Sequence, residues 1–342
     1  MPKITSTVAS MLLFAMLLSG PALAQSDEPF RLVVTHLEPP LVPSSVMDLA
    51  LTLGYFEREG VDVELVRVQQ TPSALAALQS GDGDMANIGV DALLQAIAVG
   101  ADDLRAVTSP NKSLPFLIAA KDSVAAPSDL EGAVFAIGRI GSVDHSLSAE
   151  VFDTLGVDID SMQLFSVGQP NVRAQALAAG QVDATTMSIG TWVSLPDRAG
   201  LHVLIDQDAY YAAAPVVSKV NAVPASVLAE RPEDVEAVIR ALIRISRDFA
   251  ADPQLWVDAM AEALPHVDRQ TLETLAPSYA GSWSINGGMS AAELRETTDW
   301  LYRTADFAGM TAPSLDAWVD FGPLDAVLAE VGIVDGADPA DR

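Results

Sequence analysis

The sequence predicts an α/β protein built from two similar lobes, and two observations carry that expectation. Stretches with strand and helix periodicity alternate along the first two thirds of the chain. One alanine-rich segment with a fixed glycine-to-aspartate spacing then recurs roughly a hundred residues later.

The alternation starts after a leader. Phe30 to Thr35 reads as a buried strand, Ser45 to Glu59 as a helix ending at Gly60, and Val61 to Val68 as the next strand. A helix over Pro72 to Gln79, a strand over Asp84 to Ile88, a helix over Asp91 to Val99 and a strand over Leu104 to Thr108 follow. This order predicts a parallel sheet with helices on both faces. A second set begins near Ser128-Asp129-Leu130. It runs through strand Ala133 to Ile137, helix Val143 to Leu155, strand Met162 to Val167, helix Val172 to Ala179, and strands Asp183 to Met187 and Leu201 to Ile205. From Pro224 onward the pattern is mainly helical. Pro232-Glu233-Asp234 opens a helix that runs to about Phe249, and Ser290-Ala291-Ala292-Glu293 opens another. Ala337 to Arg342 reads as a frayed tail.

The recurring segments are Ala77 to Asp84 and Ala176 to Asp183. In each, a helix stops at a glycine suited to the left-handed C-cap, and an aspartate then opens a strand that leads to Ile-Gly, at Ile88-Gly89 and Ile189-Gly190. In open parallel sheets, ligands bind beyond the carboxyl ends of the strands. Two such lobes facing each other would enclose a cleft. Asp84 and Asp183 are expected to serve the strand starts rather than the cleft.

The N-terminus predicts export. Lys3 precedes the apolar run Val8 to Leu18, then Ser19-Gly20-Pro21 and Ala22-Leu23-Ala24, a signal peptide over residues 1–24 with cleavage near Ala24. The run is short for a retained membrane anchor. The chain has no cysteine, which removes disulfides, thiolate metal sites, cysteine nucleophiles and the lipid-bearing cysteine of a tethered protein. A freely diffusing, monomeric periplasmic protein without a lipid anchor is expected. About 318 mature residues suit two domains with their own cores, and a mean hydropathy of +0.28 is inconsistent with disorder. Without Lys3 the formal charge is −28, which disfavours nucleic acid and anionic membranes as partners. The acidity is either a solvated surface or a docking face.

The residues expected at the cleft are those after the strands. On the first lobe these are His36, Glu38, Ser45, Gln70, Thr71, Gly89, Asp91, Ser109 and Asn111. On the second they are Arg139, Gly141 and Ser142 before a helix start, Gln169, then Ser188, Thr191 and Trp192, with Tyr211 before the return to the first lobe. A binding cleft needs a few fixed polar groups, an apolar or aromatic wall, and lobes that close. His36 could equally be structural, and Asp91 could simply cap its helix. Trp192 is placed as ligand wall in preference to core, whereas Trp256, Trp283, Trp300 and Trp318 are placed in the core. Arg139 with the helix start at Val143 could hold an anionic group, or Arg139 could pair with Asp144. The four histidines occur singly, the Gly-x-Ser-x-Gly elbow is absent, and Gly138 to Ser142 lacks the lysine of a phosphate loop. No metal, cofactor or catalytic residue is therefore expected.

Leu53-Gly54-Tyr55-Phe56-Glu57-Arg58-Glu59-Gly60-Val61-Asp62-Val63-Glu64, the twin segments and Ser128-Asp129-Leu130-Glu131-Gly132 together resemble the nitrate/sulfonate/taurine and thiamine-pyrimidine-precursor (NMT1/THI5-like) group of ABC-transporter binding proteins. The resemblance covers nearly all of the mature chain and is weakest after Pro224. It implies a type II periplasmic-binding fold in which the C-terminal helices return to lobe 1, with crossings near Phe116 to Lys121 and Ala214 to Val220. Residues 25–118 and 215–342 would form lobe 1 and residues 119–214 lobe 2. The implied function is capture of a small solute of sulfonate, nitrate, carboxylate or pyrimidine type and delivery to a permease with its ATPase. A receptor feeding a sensor or chemoreceptor, or an enzyme on the same fold, are the alternatives. Thiamine-pyrimidine synthases of the same group carry a cysteine-rich segment, from which this cysteine-free chain departs.

Overall fold

The computed structural model describes residues 28–101, 103–110, 112, 116–140 and 143–342. The expected leader, Asn111, Gly141 and Ser142 lie outside them.

Two five-stranded sheets organise the chain. The first contains β1 (Phe30–Val34), β2 (Val63–Arg67), β3 (Met85–Gly89), β4 (Leu104–Thr108) and β10 (Lys219–Pro224) in the order β2-β1-β3-β10-β4. The second contains β5 (Phe116–Lys121), β6 (Val134–Ile137), β7 (Gln163–Ser166), β8 (Ala184–Ser188) and β9 (Leu201–Ile205) in the order β7-β6-β8-β5-β9. The helices are α1 (Val46–Thr52), α2 (Tyr55–Arg58), α3 (Thr71–Ser80), α4 (Val90–Ala98), α5 (Val143–Thr154), α6 (Pro170–Ala178), α7 (Ile189–Val193), α8 (Gln207–Ala213), α9 (Ala225–Glu230), α10 (Pro232–Ala251), α11 (Pro253–Ala263), α12 (Arg269–Leu275), α13 (Ala291–Leu301) and α14 (Gly322–Val331).

The two sheets repeat one another. β1 pairs in parallel with β2 and β3, and β6 with β7 and β8. Each sheet also takes in one antiparallel strand that adjoins a passage between the sheets, so neither is wholly parallel as the alternation suggested. β10 lies antiparallel between β3 and β4, and β5 lies antiparallel between β8 and β9. The chain therefore leaves the first sheet after Thr108 and returns before Lys219. Phe116–Lys121, read above as a crossing, is a central strand whose backbone groups are all but required to pair once buried.

The recurring segments occupy equivalent places. Gly81 and Gly180 both take the left-handed conformation, φ 75° and 73°, at the ends of α3 and α6. The Asp84 carboxylate accepts from Arg31 N at 2.8 Å and pairs with the Arg31 guanidinium at 2.8 Å. The Asp183 carboxylate accepts from Val134 N at 2.8 Å and pairs with Lys121 at 2.8 Å. Each aspartate thus ties a strand start to its neighbour and compensates its own charge.

Two expectations need correction. The helix expected over Ser45 to Glu59 is broken at Gly54, whose φ of 70° turns the chain between α1 and α2. The tail from Ala337 is not frayed: Asp338 is buried, its carboxylate accepts from Asn286 N (2.6 Å) and Gly288 N (3.1 Å), and Asp341 accepts from Ala292 N (2.9 Å). A stretch of polar residues lacks the periodicity that would have revealed this docking.

The core of the helical third is set by α10. Val235, Val238, Ile239, Leu242, Ile245 and Phe249 recur at helical spacing and are buried against α1, α2, α11 and α14. Each such side chain contributes about 1.5–3 kcal/mol relative to exposure. Arg240 and Arg244 on its flank pair with Glu59 of the first lobe's turn at 3.7 and 2.8 Å.

Candidate functional site

A cavity of about 490 Å3 lies between the carboxyl ends of the two sheets. The first sheet supplies Thr71 at the start of α3 and Gly89, Val90 and Asp91 where β3 turns directly into α4. The second supplies Gly138 and Arg139 after β6, Asp144 and Leu147 of α5, Gly168 and Gln169 after β7, and Arg173 of α6. Phe116, at the start of β5, adds an aromatic wall. The back wall is the returning segment Val216 to Lys219, braced by Thr297, Trp300 and Leu301 of α13.

Gly89 makes this geometry possible. A Cβ there would stand 2.3 Å from Asp91 Oδ1, so only glycine lets the carboxylate fold back over the strand end. Val90 N donates to Ser218 O at 3.0 Å, which joins the back wall to the β3–α4 turn.

Three cations and two carboxylates border the cavity. Lys219 is set by the antiparallel return: its Nζ donates to Thr35 Oγ1 at 2.7 Å. Burial pushes the Lys219 ammonium below the usual lysine range, with Asp91 opposing that shift. Burial likewise pushes the Asp91 carboxyl up, opposed by the backbone N–H groups at its own helix start. Arg173 is buried, and its guanidinium donates to Gly168 O, to Thr186 O at 3.1 Å and to Thr185 Oγ1 at 3.3 Å, and lies 3.5 Å from Asp144. Asp144 in turn accepts from Gly138 N at 2.8 Å. One guanidinium therefore fastens the ends of β6, β7 and β8 together, while burial pushes its own pKa down. Arg139 is different: its guanidinium is 66% exposed and lies 3.4 Å from Asp306. Asp144, considered above as a partner for Arg139, lies 3.5 Å from the Arg173 guanidinium.

Of the residues expected at the cleft, Thr71, Gly89, Asp91, Arg139 and Gln169 line this cavity. Ser188 and Thr191 border a second interlobe space of about 540 Å3 beside Pro40, Leu41 and Val42. Ser188 Oγ caps α7 by accepting from Thr191 N at 3.2 Å. Asn111, Gly141 and Ser142 lie outside the described residues, and the remaining expected residues do not line this cavity. His36 Nε2 lies 2.7 Å from the buried Asp48, which also pairs with Arg67 at 2.6 Å. Glu38 is exposed, 3.8 Å from His266, and Gln70 is exposed at the cap of α3. Ser45 Oγ accepts from Trp256 Nε1 at 2.9 Å inside the core. Ser109 Oγ donates to Lys219 O at 2.6 Å. Tyr211 donates to Glu293 Oε1 at 3.1 Å, away from the cavity. Trp192, placed above as ligand wall, packs in the core of the second sheet with Leu117, Met187 and Leu195, and Arg198 stacks on it at 5.5 Å.

Sequence reasoning missed Lys219, Arg173, Phe116 and the α13 residues. The one signal was chemical: Lys219 is a lone cation within the returning segment, and Arg173 interrupts an otherwise neutral helix. Among the described residues no group of three or more His, Asp or Glu side chains converges as a metal site, and no helix is long and apolar enough to cross a membrane.

Comparison with known proteins agrees with this architecture. Residues 46–255 match the family described as NMT1/THI5 like. A search of curated protein sequences returned no match. Among solved structures, the periplasmic aliphatic sulphonate binding protein SsuA of Escherichia coli superposes with a TM-score of 0.68 at 16% identity, over 86% of this chain and 92% of that one. The alkanesulfonate-binding protein SsuA of Xanthomonas axonopodis pv. citri, bound to MOPS, gives 0.55 at 21% identity over 75% and 85%. The desulfurization enzyme DSZB gives 0.62 at 14% identity over 88% and 99%. At these identities the likeness is one of fold. With more than half of its length matched, the chain belongs to the NMT1/THI5-like family and has the two-lobed α/β fold of periplasmic solute-binding proteins.

Proposed function

We propose that the chain is the solute-capturing component of an ABC importer, acting by binding rather than by chemistry, and that its solute is an organic molecule bearing an anionic group such as a sulfonate or carboxylate. The observation that carries this reading is the placement of Lys219 on one side of the cavity and Arg139 and Arg173 on the other, over a wall of Phe116, Val216, Leu147 and Trp300. Cations facing from both lobes would draw them together over an anion, and the apolar wall would cover the body of the solute. A space of about 490 Å3 favours an organic solute over nitrate alone. A neutral pyrimidine would leave the three cations without a ligand charge. Thr71, Gly89, Asp91 and Gln169 complete the proposed site.

In this reading residues 25–118 and 215–342 form one lobe and residues 119–214 the other. The leader is removed near Ala24, and the soluble monomer hands its solute to a permease and ATPase. Neighbours of the fold include both binding proteins and an enzyme, so the test must watch for turnover. Native mass spectrometry of protein taken from its own periplasm, followed by thermal-shift titration with alkanesulfonates, aromatic carboxylates, nitrate and pyrimidines, is the direct experiment. At a hundredfold excess over Kd a true ligand stabilises the fold by about 2.7 kcal/mol. An organic anion that stabilises and is recovered unchanged supports the reading. Stabilisation by pyrimidines alone, or conversion of the ligand, overturns it.

A further inference from the structure

We propose that the C-terminal strap, residues 333–342, acts through the buried cluster Lys112–Glu293–Asp338 to hold the hinge between the two sheets, and so positions the back wall of the cavity.

Lys112 lies on the first passage between the sheets, and its side chain is fully buried. Its Nζ donates to Ala337 O of the strap at 2.9 Å, and lies 3.5 Å from Asp338 Oδ1 and 3.4 Å from Glu293 Oε1. Burying an ammonium and two carboxylates is costly unless they compensate one another. Burial pushes both carboxyls above the usual range, with Lys112 opposing the shift in each. The cluster is therefore stable only while the strap is seated. The strap is itself fastened: Asn286 Nδ2 donates to Asp338 O (2.7 Å) and Val334 O (2.8 Å), and Arg342 pairs with Asp325 at 2.6 Å.

Two connections lead from the cluster to the cavity and a third to the second lobe. Ser218 N, on the second passage, donates to Lys112 O at 2.9 Å, so the two passages are bonded to each other at the point where Ser218 and Lys219 form the back wall. Glu293 sits in the first turn of α13, and four residues on, Thr297 Oγ1 accepts from Val217 N at 2.8 Å and borders the cavity. Tyr211, on α8, which packs against β5 and α5 of the second sheet, donates to Glu293 at 3.1 Å. The cluster thus touches both passages, the bracing helix and an element of the second lobe. Lys112, Glu293 and Asp338 are positioning residues, since none of them borders the cavity.

The inference rests on the reading of the cavity as a solute site, but its principal test does not need the solute. The chain has no cysteine, so spin labels can be attached at Val99→Cys and Leu155→Cys, two exposed positions at the ends of α4 and α5. Electron-spin distance distributions are then recorded in the full chain with Tyr211→Phe and, separately, Asp338→Asn. The expected result is a broader or longer interlobe distribution in both, with circular dichroism showing both folded. Tyr211→Phe removes only a hydroxyl, so it keeps the test decisive if Asp338→Asn fails to fold. For any organic anion established as ligand, Kd should rise about tenfold if the closed population falls to a tenth. An unchanged distribution in folded Tyr211→Phe overturns the proposal, even if melting temperatures fall. Absence of any ligand overturns the proposed function alone and leaves the distance result standing.

Discussion

Replacing Arg173 by methionine should destabilise the ligand-free protein far more than its position beside a solvent-filled cleft suggests. The side chain is 4% exposed, and methionine keeps most of its volume while removing every donor. Gly168 O and Thr186 O lose the guanidinium, and Asp144 loses its cation at 3.5 Å. Breaking a buried pair by removing one partner costs about 3–5 kcal/mol. Asp144 retains the donation from Gly138 N and is 15% exposed, which places the cost near the lower limit, about 3 kcal/mol. At about 2–4 °C per kcal/mol for domains of this size, the melting temperature should fall by about 6–12 °C. Scanning calorimetry on ligand-free protein measures it, with Arg173→Lys as a partial rescue, because an ammonium can satisfy one acceptor but not the planar set. A shift under about 2 °C in Arg173→Met would refute the assignment of Arg173 as the fastener of the β6, β7 and β8 ends.

Arg139→Ala should behave in the opposite way. Its exposed pair with Asp306 is worth at most about 1 kcal/mol, so the ligand-free melting temperature should barely move, whereas loss of a charge-assisted bond of about 1.5–3 kcal/mol should weaken anion binding roughly ten- to a hundredfold; unchanged affinity by calorimetry removes Arg139 from the site. Gly190→Ala should weaken binding with little effect on the isolated lobe, because the new Cβ would stand 3.0 Å from Leu41 O on the facing lobe; an affinity equal to wild type shows that the loop gives way freely. The Lys121 hydrogen bond holds the Asp183 carboxyl below its ordinary 3.8. The stability it contributes is therefore present above that value and lost as pH falls through the depressed one. The melting-temperature difference between wild type and Asp183→Asn should be constant from pH 7 to about 5 and shrink below about 4; a pH-independent difference would show that Asp183 acts through its size alone.

What the sequence determined by itself was local and repeated. The β-α-β order followed from periodicity, the left-handed caps at Gly81 and Gly180 from the one residue that takes that conformation without strain, and the roles of Asp84 and Asp183 from their equivalent spacing. Thr71, Gly89, Asp91, Arg139 and Gln169 were legible as cavity residues because each directly follows a strand or opens a helix, and strand ends face the cleft in any open α/β sheet. Tertiary structure alone decided which strands become neighbours. The sequence reading placed the regions of β5 and β10 at crossings between the lobes, and local pattern carries nothing about their insertion, antiparallel, into each sheet. That insertion brings Lys219 and Val216 to the cavity and draws in α13 from late in the chain. The same rule explains which expected residues do not line the cavity. His36, Ser45, Ser109, Trp192 and Tyr211 all carry groups suited to a ligand, and each is taken by a partner that only folding brings near: Asp48, Trp256, the Lys219 carbonyl, the second-sheet core and Glu293. A polar side chain becomes part of a binding site only when the fold leaves it no better partner, and that condition is set by contacts distant in sequence.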